Sequence, residues 1–316
     1  MGKVKDFLIN HPVVTYYFTA FLISWGGLVL AIGGPDKISP KPANAPFLLM
    51  YLITVAGPFL AGILLTGFYQ GMKGYRDLIY RLRIWNVSYK WYLASFFIAP
   101  VTVFAALFAL TLISPAFLPA IFDSGINPVA LKFGLPGNEP MTLFLFVFML
   151  GIFNGFVEEV GWTGFATPQL KASRSLFSRG FNLGFIWGLW HLLSNYVGSE
   201  DSAGTMPLSL YLFVVLFSFL PPFRILMMWV YDRTGSLLIA ILMHASLDVF
   251  WILSMPKDIT GQERLIWYLV WAIVLWGIVA LIETESTGIS RYRVVEWTNC
   301  VGFASKQGRH VENSKS

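Results

Sequence analysis

Residues 141–160 read MTLFLFVFMLGIFNGFVEEV. At a rise of about 1.5 Å per residue, a helix of this length matches the roughly 30 Å hydrocarbon core of a bilayer. Its last turn carries two adjacent carboxylates, Glu158 and Glu159. A membrane helix ending in two acids sets the fold class and shows where to look for chemistry.

Outward from this stretch, further apolar runs of spanning length repeat along the chain. They are residues 13–32, 46–68, 92–113, 181–197, 208–231, 237–253 and 265–282, which with 141–160 predict about eight transmembrane helices in an all-α, polytopic helical bundle. The fifth, 181–197, is the shortest and is interrupted by glycines and a His. The first run is longer than the apolar core of a signal peptide and has no small-residue cleavage site after it. MGKVKD does not fit a myristoylation signal.

Composition agrees. Of 316 residues, 56% are hydrophobic and only 12% charged, about half the charge of a soluble domain. Disordered, collagen-like and nucleic-acid-binding chains are excluded. Cys300 is the sole cysteine, so no internal disulfide or thiolate metal cluster is expected. The net charge of +5 is explained by topology, because Lys and Arg gather in cytoplasmic loops. With the N-terminus inside, alternate loops hold the clusters Lys73 to Lys90 and Lys171 to Arg179, while the opposite loops hold only Lys37, Lys41, Lys132, Lys257 and Arg264. Both termini are therefore expected in the cytoplasm, in what reads as a prokaryotic cell membrane. The expected organisation is 1–140 for the first three helices, 141–253 for a catalytic core of four, 254–282 for the last, and 283–316 for a polar tail.

Ionisable groups at membrane depth are costly and usually functional. Here they are Glu158, Glu159, His191, Arg224, His244 and Asp248. Counting in from the basic ends of their helices places all six in one layer of the cytoplasmic leaflet. On helical spacing His244 and Asp248 share a face, as do Trp187 and His191, continued by Ser194 and Asn195. Adjacent Glu158 and Glu159 point about 100° apart, so one faces a polar site and the other a neighbouring partner. The arrangement suits acid–base chemistry on water, and no Ser or Cys nucleophile with a neighbouring base is apparent.

Three spaced motifs carry a resemblance. EEVGWTGFATPQL (158–170), Trp187 four residues before His191 in FIWGLWHLL, and His244 four residues before Asp248 in TGSLLIAILMHASLDVF resemble the CPBP family, which joins CAAX prenyl proteases of the Ras-converting type to bacteriocin-processing relatives. The resemblance covers about residues 141–253. It implies a glutamate-dependent intramembrane endopeptidase, opening to the cytoplasm and acting on a membrane-associated peptide, prenylated or not. In that picture Glu158 activates water, His191 holds or shares it, and His244 with Asp248 stabilises the oxyanion. Bacteriocin immunity, scaffolding or transport is the alternative function.

Two positions depart from the family. An Arg is usual four residues after the second Glu, where this chain has Thr163, which cannot cancel the charge of Glu159. Arg224, at matching depth beside Pro221 and Pro222, is the candidate partner. Asp248 stands where the prenyl-protease branch tends to have Asn, and an ionised Asp accepts hydrogen bonds only; it is expected to orient His244. Trp187 is expected to pack a helix face or line the groove, and the Arg76 to Arg83 cluster to signal topology. No cofactor is expected. Two Glu and two His also form a plausible zinc set, but HExxH is absent and adjacent Glu are poorly spaced ligands.

Overall fold

The computed structural model describes residues 2–40, 47–122, 140–170, 174–197, 206–256 and 259–288. Lys41, Lys132, Lys171, Lys257, Cys300 and most of the expected polar tail lie outside them. The chain divides into two units, residues 1–279 and 280–316, and everything below concerns the first.

Among the described residues the structure is helical: α1 Gly2–Asn10, α2 Pro12–Ala31, α3 Phe47–Leu82, α4 Tyr89–Thr111, α5 Pro140–Gly161, α6 Leu176–Val197, α7 Leu208–Thr234, α8 Leu237–Ser254 and α9 Gly261–Gly288. Two helices contain a wide π turn, Leu22–Gly26 in α2 and Trp162–Ala166 just beyond α5, after which a short turn Thr167–Gln169 completes that span. Gly71 breaks α3 with φ 58° and ψ −148°, a conformation open to glycine and strained for other residues. The basic segment after it, expected as loop, is therefore helical to Leu82.

Seven stretches are long and apolar enough to cross a bilayer, one on each of α2 to α5 and α7 to α9. The eighth expected run, 181–197, forms α6, which is less apolar than the other seven. That helix has 22 residues, but Asn182, His191, Ser194, Asn195 and three glycines dilute its apolarity. Those residues have a packing reason. A Cβ on Gly180 would lie 2.7 Å from Ile225 Cα, and one on Gly184 would lie 2.6 Å from Pro221 Cα. Glycine thus lets α6 lie against the backbone of α7. Small residues allow such approach in membranes, where van der Waals contact replaces the hydrophobic drive between helices.

α8 is central, packing along α4, α5 and α7, while α3 packs along α5. Gly151 and Gly155 of α5 face α8, where added Cβ atoms would lie 2.8 Å from the Ala245 carbonyl oxygen and 2.6 Å from that of Ile241. α9 packs differently, through large rings. Trp271 stacks on Phe219 of α7 at 4.7 Å between centroids and donates from Nε1 to Thr102 Oγ1 of α4 at 3.0 Å. Arg81, expected only as a topology signal, also ties the basic end together: it donates to Tyr231 Oη and to the Gly164 carbonyl, each at 2.8 Å. Pro221 and Pro222 lie inside α7, which runs through both as one helix.

Candidate active site

The site forms where α5, α6, α7 and α8 meet. Glu158 and Glu159 are both buried, 3% and 0% exposed, yet their surroundings differ completely. Glu159 is surrounded by donors. Arg224 grips it bidentately, Nη1 to Oε2 at 2.7 Å and Nη2 to Oε1 at 2.9 Å. Thr163 Oγ1 donates to Oε2, and His244 Nδ1 bonds Oε1 at 2.7 Å. With a guanidinium on both oxygens Glu159 is a carboxylate, so Nδ1–H is the donor. A cation from α7 thus stands in for the Arg that the motif lacks at position 163, with the Thr163 hydroxyl as an auxiliary donor.

Among the described residues Glu158 accepts a single hydrogen bond, from Trp187 Nε1 to Oε2 at 2.8 Å, and it lines an elongated cavity of about 550 Å³. Trp187 does more than pack. The Arg224 guanidinium lies 4.4 Å from its ring centroid, a cation–π distance, and His244 meets it edge-on at 5.3 Å. One indole therefore joins the two carboxylate environments while keeping them apart.

His191 lines the same cavity, 4.6 Å from the Trp190 ring and 5.5 Å from Trp187. Its imidazole has no hydrogen-bond partner among the described residues. Asp248 lines the cavity too, but His244 does not; it is 1% exposed, behind the wall. The His244 Nε2 to Asp248 Oδ1 separation is 3.8 Å, too long for a hydrogen bond. It is Glu159, not Asp248, that the His244 ring hydrogen-bonds. Asp248 instead accepts from Asn154 Nδ2 at 2.8 Å, and Tyr51 Oη donates to Asn154 Oδ1.

Asn154 and Tyr51 carry no charge at neutral pH and so do not stand out among the charged groups at membrane depth. Asn154 carried a usable signal, being polar, inside an apolar span and one turn before Glu158. Tyr51 carried none, since nothing in its local sequence separates it from the other aromatics of α3. Among the described residues no three His, Cys, Asp or Glu side chains are arranged to hold a metal. The donor set explains why: both Glu159 oxygens are occupied, and the Nδ1 of His244 is bound to one of them.

The cavity has a direction. From Glu158 its lining passes Asn154 and Leu150 on α5, Asn195 and Val197 on α6, Met255 beyond α8, and Arg264 at the start of α9. It therefore climbs toward the chain end of the bundle opposite Arg81, where α2 finishes and α9 begins. Trp162 and Phe165, 0% and 1% exposed, follow the carboxylates in the chain and pack on Tyr16 of α2, at 5.3 and 5.5 Å between ring centroids. A second groove, about 680 Å³ and lined mostly by apolar residues including Trp25, Leu30, Leu193 and Tyr196, lies on the other side of α6.

Residues 140–250 match the model of the type II CAAX prenyl endopeptidase Rce1-like family. That segment contains Glu158, Glu159, His191, Arg224, His244 and Asp248. The chain is also 23% identical over 262 residues to CAAX prenyl protease 2 of Methanococcus maripaludis, covering 82% of this chain and 92% of the relative. Its apolar helices make the chain a multi-pass membrane protein, and over residues 140–250 it is similar to type II CAAX prenyl endopeptidases.

Proposed function

We propose, taking the likeness to type II CAAX prenyl endopeptidases as premise, that this protein is an intramembrane endopeptidase in which Glu158 activates water. One observation carries the reading: two adjacent buried carboxylates, of which Glu159 is neutralised by Arg224 while Glu158 faces the cavity with one oxygen that has no hydrogen bond among the described residues.

In the reaction, water is held between Glu158 and His191. Its oxygen bonds to the peptide carbonyl carbon as its proton passes to Glu158. The tetrahedral oxyanion then needs donors at the cavity wall. His191 and the amide of Asn154 are placed for this, since both line the cavity and Asn154 is held by Tyr51 and Asp248. Glu158 returns the proton to the amide nitrogen, the C–N bond breaks, and an acid and an amine leave. His244, bonded to Glu159 behind the wall, positions the carboxylates without touching substrate. Zinc is not required by these steps, and the Glu159 oxygens that a metal would use are already bonded.

The substrate is a membrane-associated peptide. A prenyl chain on it suits the apolar groove beside α6, where each buried methylene contributes about 0.8 kcal/mol. The Lys and Arg distribution favours a cytoplasmic Arg81 end and cytoplasmic termini, whereas the resemblance implies cytoplasmic access to the site. These pull apart, because the cavity lining leads to the other end. Peptide is proposed to reach Glu158 from the end where α9 begins.

The test is cleavage of a prenylated peptide by purified protein. Replacing Glu158 with Gln keeps the shape and the Trp187 hydrogen bond but removes the base, and the rate should fall about 10²–10⁴-fold with unfolding temperature unchanged. A Gln variant that cleaves as well as the parent removes the base role. One that keeps a cellular phenotype with no cleavage in either protein assigns the polar layer to binding or scaffolding instead.

A further inference from the structure

By Gln70, α3 has run about 36 Å, past the roughly 30 Å hydrocarbon core, and its exposed stripe of Leu60, Leu64 and Phe68 ends there. Gly71 then turns the chain back. In an uninterrupted helix Tyr75 and Leu78 would lie about 18 and 22 Å beyond Ile63. Instead Tyr75 Oη donates to the Ile63 carbonyl at 3.0 Å, and Leu78 packs in one cluster with Ile63, Val160 and Leu237. Arg81 fixes the same side through Tyr231 and Gly164. Residues 72–82 are thereby clamped to the bundle at the polar edge of the span, with one face turned out.

That outer face is divided lengthwise. At about 100° per residue, Ile79 and Met72 lie within about 20° of each other, and Arg83 and Arg76 lie about 20–40° beyond Met72, followed by Tyr80 and Lys73. The N–H of Arg83 still bonds the Ile79 and Tyr80 carbonyls, at 3.1 and 3.0 Å, so it belongs to the last turn. All six side chains are exposed, as are Trp85 and Tyr89 just after them. Arg76 and Arg83 form no ion pair among the described residues. Round the helix, contact with the bundle gives way to an apolar edge and then to a basic one.

Water over the whole face would leave Met72, Ile79, Tyr80 and Trp85 wet together, and hydrocarbon over the whole face would strip two guanidiniums of solvent. The face fits the boundary between the two. There aromatic rings sit at headgroup level, and an in-plane helix offers apolar side chains to the acyl region and cations to the lipid phosphates. We propose that residues 72–85 form a binding surface for an acidic phospholipid, its phosphate held by Arg76 and Arg83 and its acyl chains lying against Met72 and Ile79. Guanidinium forks pair phosphate oxygens two at a time, and their charge favours a lipid that is itself net negative. The surface lies at the end of the bundle opposite the cavity mouth, and its occupancy does not depend on proteolysis.

Two measurements on the full chain test this. Native mass spectrometry in detergent, titrating phosphatidylglycerol or phosphatidylcholine, gives the affinity for the first bound lipid. Phosphatidylglycerol should bind at least about tenfold tighter. At about fivefold per cation, the Arg76→Gln, Arg83→Gln double variant should weaken it about 10- to 25-fold and leave phosphatidylcholine within about twofold. Arg174→Gln with Arg233→Gln removes the same charge from exposed positions at the same end and should change neither. An equal loss in that control overturns the site, because the preference then belongs to surface charge at large, as does a parent protein that binds the two lipids equally. The second measurement places the face in the bilayer. Nitroxides on single cysteines, in a Cys300→Ser background in phosphatidylglycerol nanodiscs, are relaxed by oxygen from the hydrocarbon or by a nickel chelate from water. Met72→Cys and Ile79→Cys should respond more to oxygen, and Arg76→Cys and Arg83→Cys more to nickel. Any other pattern overturns the proposal: nickel access at all four puts the face in water, and shielding from both relaxants means that another part of the chain covers it.

Discussion

Arg224 is where the physics of one residue is most exposed. It is 0% exposed, pairs bidentately with Glu159 and lies against the Trp187 ring. Removing one member of a buried pair strands the other charge, so Arg224→Ala should cost about 3–5 kcal/mol, read as loss of thermal stability in detergent. If stability is unchanged, Glu159 is not held by Arg224. Returning the cation to the position the family motif gives it offers a sharper check. Arg224→Leu combined with Thr163→Arg should regain stability over Arg224→Leu alone, since position 163 already lies within hydrogen-bonding reach of Glu159 Oε2. Glu159 and Arg224 were legible as partners because both are charges in a chain with few, and counting residues sets their depth. Asn154 was not, because an uncharged amide leaves no mark on charge statistics; its link to Asp248 needs α5 and α8 in place. Asn154→Ala should lower cleavage about tenfold or more while leaving Glu158 and its Trp187 bond intact.

Among the elements, α6 shows how a helix reads poorly in sequence for the same reason that it packs well. Glycines and polar residues weaken its apolar signal, yet Gly180 and Gly184 bring it against the α7 backbone and thereby set Trp187 beside both Glu158 and Arg224. Replacing Gly184 with Leu must push α7 away, since even a Cβ would meet Pro221 Cα at 2.6 Å and Arg224 Cβ at 3.0 Å. The expected result is destabilisation by about 1–3 kcal/mol together with loss of cleavage, whereas Gly277→Leu, where nothing lies within 4 Å of an added Cβ, should be neutral in both. Equal effects at the two positions reject the close-packing account. The helices themselves followed from length and apolarity, but which helix touches which did not, since every outward face is equally greasy.

For the molecule as a whole, orientation is the open physical variable. Ile38 and Trp85 are exposed, 37% and 70%, and lie at opposite ends of the helices, Trp85 beyond the basic segment of α3. In a Cys300→Ser background, a membrane-impermeant thiol reagent added to intact cells should label Ile38→Cys and spare Trp85→Cys if the Lys and Arg bias rules. The reverse pattern means that the cavity mouth faces the cytoplasm and that the basic residues near Arg81 serve structure more than topology, as Arg81 itself does through Tyr231 and Gly164. Sequence alone placed the polar layer at a common depth. It did not reveal which way the space beside that layer runs, because a cavity is bounded by residues from α2 to α9 that no single segment predicts.

The ion pair between Glu159 and Arg224 also has a history during synthesis. Sixty-five residues separate the partners, and at about 5–20 residues per second the acid is made roughly 3–13 s before its cation. Through that interval α5 must leave the translocation channel with two unneutralised carboxylates or wait beside it. A nascent chain stalled before Arg224 should accordingly crosslink to the channel or its chaperones through α5, and one stalled after α7 has emerged should not. The charge borrowed from a later helix thus makes α7 a checkpoint in the birth of the protein.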